Sequence, residues 1–224
     1  MSLANNRFIG TSLSRTQDAT HNIQSEYEQL TVLTIEEATK DLSGDVHGIG
    51  NYVSTAKENC KRGSTLLTLD ESAAIYLYTM QTTESFYGFN IALRAGNRHN
   101  LRPWLGYIKL LITALNKLPR TTATVWRGVN NDECGQYVEN ELYIWWGISS
   151  CSKNLETVQR FVDENGTLFN IETLYGKDIS MFSANPDEEE VVLMPGTRVR
   201  AKSNSVRFTE HLFLTHLQEV YPQG

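Results

Sequence analysis

Apolar residues recur at helical spacing through the first half of the chain and at strand spacing through the second, with the change near residue 120. Thr34-Ile35-Glu36-Glu37 and Thr68-Leu69-Asp70-Glu71 each have the form of a capping box. In that arrangement the threonine hydroxyl accepts the amide three residues on, and the glutamate reaches back. The second box opens a segment in which Ala74, Leu77 and Tyr78 fall on one face. Residues 84–95 repeat the spacing with Phe86, Phe89 and Leu93. Residues 103–118 do so with Trp104, Tyr107, Ile108, Leu111, Ile112 and Leu115. Pro103 suits a first helical turn and Pro119 a stop. Strand-forming runs follow at 122–128, 142–148, 167–171, 191–194, 196–201 and about 211–220, interrupted by one helix over 154–162. Helices first and strands afterwards imply an α+β fold. The expectation is a single domain over residues 1–224. An N-terminal helical layer (about 30–120) is expected to pack on a C-terminal β sandwich of mixed sheets (about 121–224).

Composition narrows the function classes. The 224 residues carry 20 basic and 26 acidic side chains, a net charge of −6, and no Lys/Arg run of the length found in nucleic-acid tails. A nucleic-acid partner is therefore not expected. The short basic stretch Arg94 to Arg102 reads either as a solvated loop between helices or as a contact for a dinucleotide phosphate. Cysteines at 60, 134 and 151 make no CxxC pair, and the five histidines make no HExxH, so no metal site is expected. The first ten residues are too polar for a signal segment. No apolar run reaches the ~18 residues of a membrane span. The expectation is a soluble chain in the cytoplasm with no membrane partner; oligomeric state is not legible.

Three pieces in the strand half carry chemistry. In Val125-Trp126-Arg127-Gly128, an arginine between apolar neighbours is costly to bury without an anionic partner, and its planar fork suits a phosphate. The alternative is an exposed strand arginine beside a turn glycine. In Ser149-Ser150-Cys151-Ser152, alternation puts Ser150 and Ser152 on one face and Ser149 and Cys151 on the other. Hydroxyls there can orient a carboxylate or a sugar. Ser152 also fits the cap of the following helix, and Cys151 admits a thiol-nucleophile reading. In Asp187-Glu188-Glu189-Glu190, four acids run into Val191-Val192-Leu193. Such runs are usually solvated, yet a strand starting at Glu190 projects Glu188 and Glu190 to the same side. Asp187 and Glu189 form the alternative register.

In this order the three pieces resemble the R-S-E class of mono-ADP-ribosyltransferases, which includes the animal arginine-specific enzymes and related bacterial toxins. The resemblance runs over residues 70–202 and takes in the helical stretch from Tyr78-Thr79-Met80 to Arg94. Cys151 stands where the family has threonine. The family's catalytic glutamate directly precedes the apolar strand, which selects Glu190, and a glutamate at 188 is similar to the arginine-modifying branch. The resemblance implies the ADP-ribosyltransferase-like fold, NAD as co-substrate and an arginine-containing protein as acceptor. It assigns Arg127 to the dinucleotide phosphates, Gly128 to the nicotinamide amide, and Ser150 to orienting Glu190. Glu190 binds a ribose hydroxyl and Glu188 the acceptor arginine. Ser152 joins the NAD-binding set, Phe161 and Phe182 are candidates to stack on nicotinamide, and residues 176–189 form the substrate-recognition loop. NAD hydrolysis on the same fold, or a non-enzymatic interaction domain, are the alternatives.

Overall fold

The computed structural model describes residues 9–10, 27–60, 65–80, 101–130, 136–160, 162, 166–209 and 212–221. The expected helix at 84–95, the basic stretch up to Asn100, Cys134, Phe161 and His211 lie outside them. The chain divides into a helical unit, Gln17–Pro119 with Ile179–Asp187, and a sheet unit, Arg120–Asp178 with Glu188–Gly224, so the switch near residue 120 is a structural boundary.

The helical unit is organised by its two boxes. Helix α1 (Ile35–Thr39) follows Thr34, and helix α3 (Leu69–Thr79) follows Thr68. Each box is complete, with the threonine hydroxyl bound by the amide of Glu37 or Glu71 and the glutamate returned to the threonine amide. Glu71 is also held by Lys117 at 2.7 Å. Helix α2 spans Ile49–Asn59. A 3-10 turn with Pro103, Arg102–Trp104, leads into α4 (Leu105–Lys117). The expected Ala74/Leu77/Tyr78 face is buried, but so are Ala73 and Ile75, because α3 lies against both α2 and α4. The large apolar side chains Ile75 and Leu77 contribute about 2 kcal/mol each by burial. Helix α4 crosses α1 at Gly106, where a Cβ would sit 3.1 Å from the Ala38 carbonyl oxygen.

The described residues of the sheet unit form nine strands: β1 (Ile9–Gly10), β2 (Thr121–Val129), β3 (Leu142–Trp145), β4 (Ser149–Ser152), β5 (Thr167–Asp178), β6 (Glu190–Leu193), β7 (Thr197–Ala201), β8 (Val206–Arg207) and β9 (Phe213–Glu219). They form one hydrogen-bonded network, in the order β1-β2-β4-β6-β5-β9-β7-β3, with β8 on β9. The expected mixture of parallel and antiparallel strands holds, but the pairing draws one network with a ring in it and not two separate sheets. Strand β2 also pairs with β5, closing β2-β4-β6-β5 into a ring.

The ring closes at an irregularity in β5. The register with β2 slips between Ala123↔Thr173 and Thr121↔Gly176, and beyond it Lys177 and Asp178 pair with β6. Glycine is required at 176, since a Cβ there would approach Val191 Cγ1 to 2.6 Å. The backbone freed by the slip is satisfied by buried Glu219 at the end of β9, whose carboxylate accepts from Thr173 Oγ1 (2.5 Å), the Leu174 amide (2.7 Å) and the Tyr175 amide (2.9 Å). The core of this unit includes Val125, Val129, Cys151, Phe169, Ile171 and Val191, with Tyr137 stacked edge-on to Phe169 at 5.0 Å. Among the described residues no helix is long and apolar enough to cross a membrane.

Candidate active site

The three pieces singled out in the sequence converge on the ring of the sheet unit. Arg127 lies near the end of β2, fully buried at 0% exposure, opposite Phe169 of β5. Its Nη1 donates to the Ser150 carbonyl at 2.6 Å. The registered pairing of β2 with β4 is the one pair Trp126↔Ser152. A charge-assisted bond beside that pair therefore ties together two strands that share little ladder. Gly128 follows in the same strand, between Leu168 of β5 and Ile9 of β1.

Strand β4 pairs antiparallel with β6, setting Ser150 against Val192, Cys151 against Val191 and Ser152 against Glu190. The expected alternation holds: Cys151 packs into the core with Val191, while Ser152 and Glu190 share the opposite face. Register puts Trp126, not Arg127, in that row. Arg127 comes to the site through the Ser150 backbone. Burial pushes the Cys151 thiol up to about 12, opposed by the Arg127 charge and reinforced by Glu190 and Glu219. A fully enclosed, protonated thiol is no nucleophile, which removes the thiol reading.

The acid run departs from the strand geometry expected of it. Pro186–Glu188 is a 3-10 turn, Glu189 is left-handed with φ 47°, and β6 begins at Glu190. Strand alternation therefore does not relate Glu188 to Glu190. A kink at a residue with a Cβ separates them, at a cost of about 1 kcal/mol. Two bonds from the end of β4 and the residue after it hold that kink: Ser152 Oγ donates to the Glu188 carbonyl (2.7 Å), and the Lys153 amide donates to the Glu189 carbonyl (3.2 Å). Lys153 is fixed in turn by Asp178 at 2.5 Å. Glu190 is fully buried, Glu188 half-buried, and Asp187 and Glu189 exposed.

Ser152 is not the helix cap. Helix α5 (Leu155–Gln159) is capped by Asn154, which accepts from the Glu156 amide at 2.9 Å, and Ser152 Oγ accepts from the Asn154 amide at 2.9 Å. Its hydroxyl is thus used on both sides to hold the acid turn. The cap at Asn154 was missed, although an asparagine two residues before Glu156 is a local sign of one; Lys153 and Glu219 carried no local sign. Phe182 is buried in the helical unit, and Phe161 lies outside the described residues. Among the described residues no cluster of His, Cys, Asp and Glu could hold a metal ion.

Solved ADP-ribosyltransferases share this architecture. Vis of Vibrio splendidus, solved in complex with agmatine, superposes with a TM-score of 0.60 at 20% identity, over 88% of this chain and 90% of that one. Exoenzyme S of Pseudomonas aeruginosa, solved with a 14-3-3 protein and bound to carba-NAD, gives 0.62 at 17% identity, over 83% and 88%. At these identities the likeness is one of fold. The chain belongs to the NAD:arginine ADP-ribosyltransferase family, whose profile matches residues 9–219. A 62-residue stretch is 44% identical to T-cell ecto-ADP-ribosyltransferase 2 of Rattus norvegicus; it covers 28% of this chain and 22% of that relative's length.

Proposed function

We propose that the chain, acting as one catalytic domain, transfers ADP-ribose from NAD to arginine side chains of a protein and releases nicotinamide. The observation that carries this reading is the juxtaposition, within one strand ring, of buried Glu190 with Ser152 across the β4–β6 ladder, joined to Arg127 through Ser150. The family match and the agmatine and carba-NAD complexes of the structural neighbours support it.

NAD supplies a nicotinamide ready to leave, so the protein must position the dinucleotide and stabilise a ribose that becomes cationic. Glu190 is the carboxylate we assign to that charge and to a ribose hydroxyl, with Ser150 and Ser152 fixing the strand that carries it. Arg127 is first a tie between β2 and β4; contact with the dinucleotide phosphates is its second proposed role. The Gly128 backbone is assigned to the nicotinamide amide.

Glu188 is assigned to the acceptor. A guanidinium has a pKa above about 12 and is a poor nucleophile while protonated. A carboxylate at its side docks it and takes a proton as attack proceeds. Placing Glu188 in a turn off the strand separates the acceptor carboxylate from the ribose carboxylate by a fixed kink.

The test is incubation with labelled NAD and an arginine-rich acceptor. Glu190→Gln is expected to lower both transfer and NAD hydrolysis by about 10³-fold. Glu188→Gln is expected to lower transfer far more than hydrolysis, because water needs no docking. Equal loss of both activities in Glu188→Gln overturns that division. Free ADP-ribose without labelled arginine in the wild type points to a glycohydrolase instead.

A further inference from the structure

Within the helical unit, the segment that leads to the acid turn is bolted to the last residue of α3. Thr79 is fully buried. Its hydroxyl donates to the Tyr76 carbonyl (2.9 Å) and accepts the Ala184 amide (2.8 Å), and its carbonyl accepts from Asn185 Nδ2 (3.1 Å). The Asn185 amide donates to Ser183 Oγ (2.9 Å), closing the turn on itself. Residues 183–185 belong to no helix or strand, so these bonds take the place of a ladder. On one side of the clamp Met181 is 69% exposed; on the other the 3-10 turn Pro186–Glu188 begins at once. Two residues, Pro186 and Asp187, separate Asn185 from Glu188, and the proline stiffens that step.

We propose that Thr79 is a positioning residue for transfer to the acceptor: by clamping the Ser183–Asn185 turn it sets the path along which the chain presents Glu188 to the incoming guanidinium. The proposal rests on the reading of Glu188 as the acceptor-side carboxylate. With the clamp removed, Glu188 keeps the hold of Ser152 on its carbonyl but loses the anchor on the chain that leads into it, and a misplacement of about 1 Å is enough to slow a bimolecular attack strongly. Attack by water has no such requirement.

The experiment measures label transferred to an arginine-rich protein and nicotinamide released without acceptor, in the whole chain. Thr79→Val keeps the shape and removes the hydroxyl; the ratio of transfer to hydrolysis is expected to fall about tenfold. Thr79→Ser, which keeps the hydroxyl, is expected to stay within about twofold of wild type. Asn185→Ala removes one bond from a half-buried side chain and is expected to lower the ratio about threefold. Equal loss of both activities in Thr79→Val and Asn185→Ala, or an unchanged ratio in both, overturns the proposal. If Thr79→Val does not fold, Asn185→Ala and Thr79→Ser decide it by the same ratio. A wild type that turns over NAD without labelling any acceptor overturns the transfer reading itself, and the clamp proposal with it.

Discussion

The helical and sheet units are held by polar contacts of different reach. In the helical unit Thr34 and Thr68 bind glutamates three residues on, and Thr39, Ser54 and Thr113 bind carbonyls four residues back. In the sheet unit Arg127 reaches 23 residues to Ser150, Ser152 36 residues to Glu188, and Thr173 46 residues to Glu219. Long bonds occur in the helical unit too: Tyr107 to the Ala74 carbonyl joins two helices, and the Ala184 amide to Thr79 ties a turn to the end of one. Losing a short bond therefore frays one element, whereas losing a long one unties two segments that carry the site.

The largest expected effect is at Arg127. Arg127→Ala removes the tie to Ser150 and leaves a cavity in a dry region, costing about 3 kcal/mol. Transfer and NAD hydrolysis should both be lost, with the denaturant midpoint falling alongside them. Stability kept near wild type contradicts the tie. Glu219→Gln is next: the shape stays, the charge behind three hydrogen bonds goes, and about 1.5 kcal/mol should be lost. Activity per folded molecule should fall as well, because the ring that carries Glu190 closes at that point. Thr68→Ala should cost about 1 kcal/mol by urea unfolding and leave the ratio of transfer to hydrolysis alone. A change in that ratio breaks the distinction between short and long contacts.

The smallest effect depends on pH. Burial, and then the Arg120 charge, holds the Lys177 ammonium below its ordinary value. The unfolded chain therefore binds that proton more tightly. The penalty on folding is complete below the folded pKa and disappears as pH rises to the ordinary 10.5. Lys177→Met is expected to raise the unfolding midpoint at neutral pH, with the gain shrinking as pH approaches 10. A gain that grows with pH contradicts the sign.

The helical unit was legible because a capping box and a 3.6-residue period are complete within a dozen residues. The Arg127, Ser150 and Glu190 pieces were legible because each has a local form, and their order carries the family resemblance. The kink at Glu189 was not legible: a glutamate there is indistinguishable in the sequence from a strand residue, and the bonds from Ser152 and Lys153 that flank it come from far away in the chain. Of the two roles the sequence offered Ser152, the helix cap falls to Asn154, and the partner at Glu188 was hidden for the same reason, since it lies on another strand connection.

By itself the sequence determined where helices give way to strands, which helices begin at Thr34 and Thr68, and which residue types could serve an ADP-ribosyl transfer. Those depend on neighbours along the chain. The tertiary structure alone decided that the strands close into a ring through the slip at Gly176. It also decided that Glu219 caps that slip, that Arg127 meets β4 through a backbone carbonyl, and that Glu188 leaves the strand of Glu190. Each of these rests on a hydrogen bond or a steric limit between segments far apart in sequence, and such pairings exist only once the chain has folded.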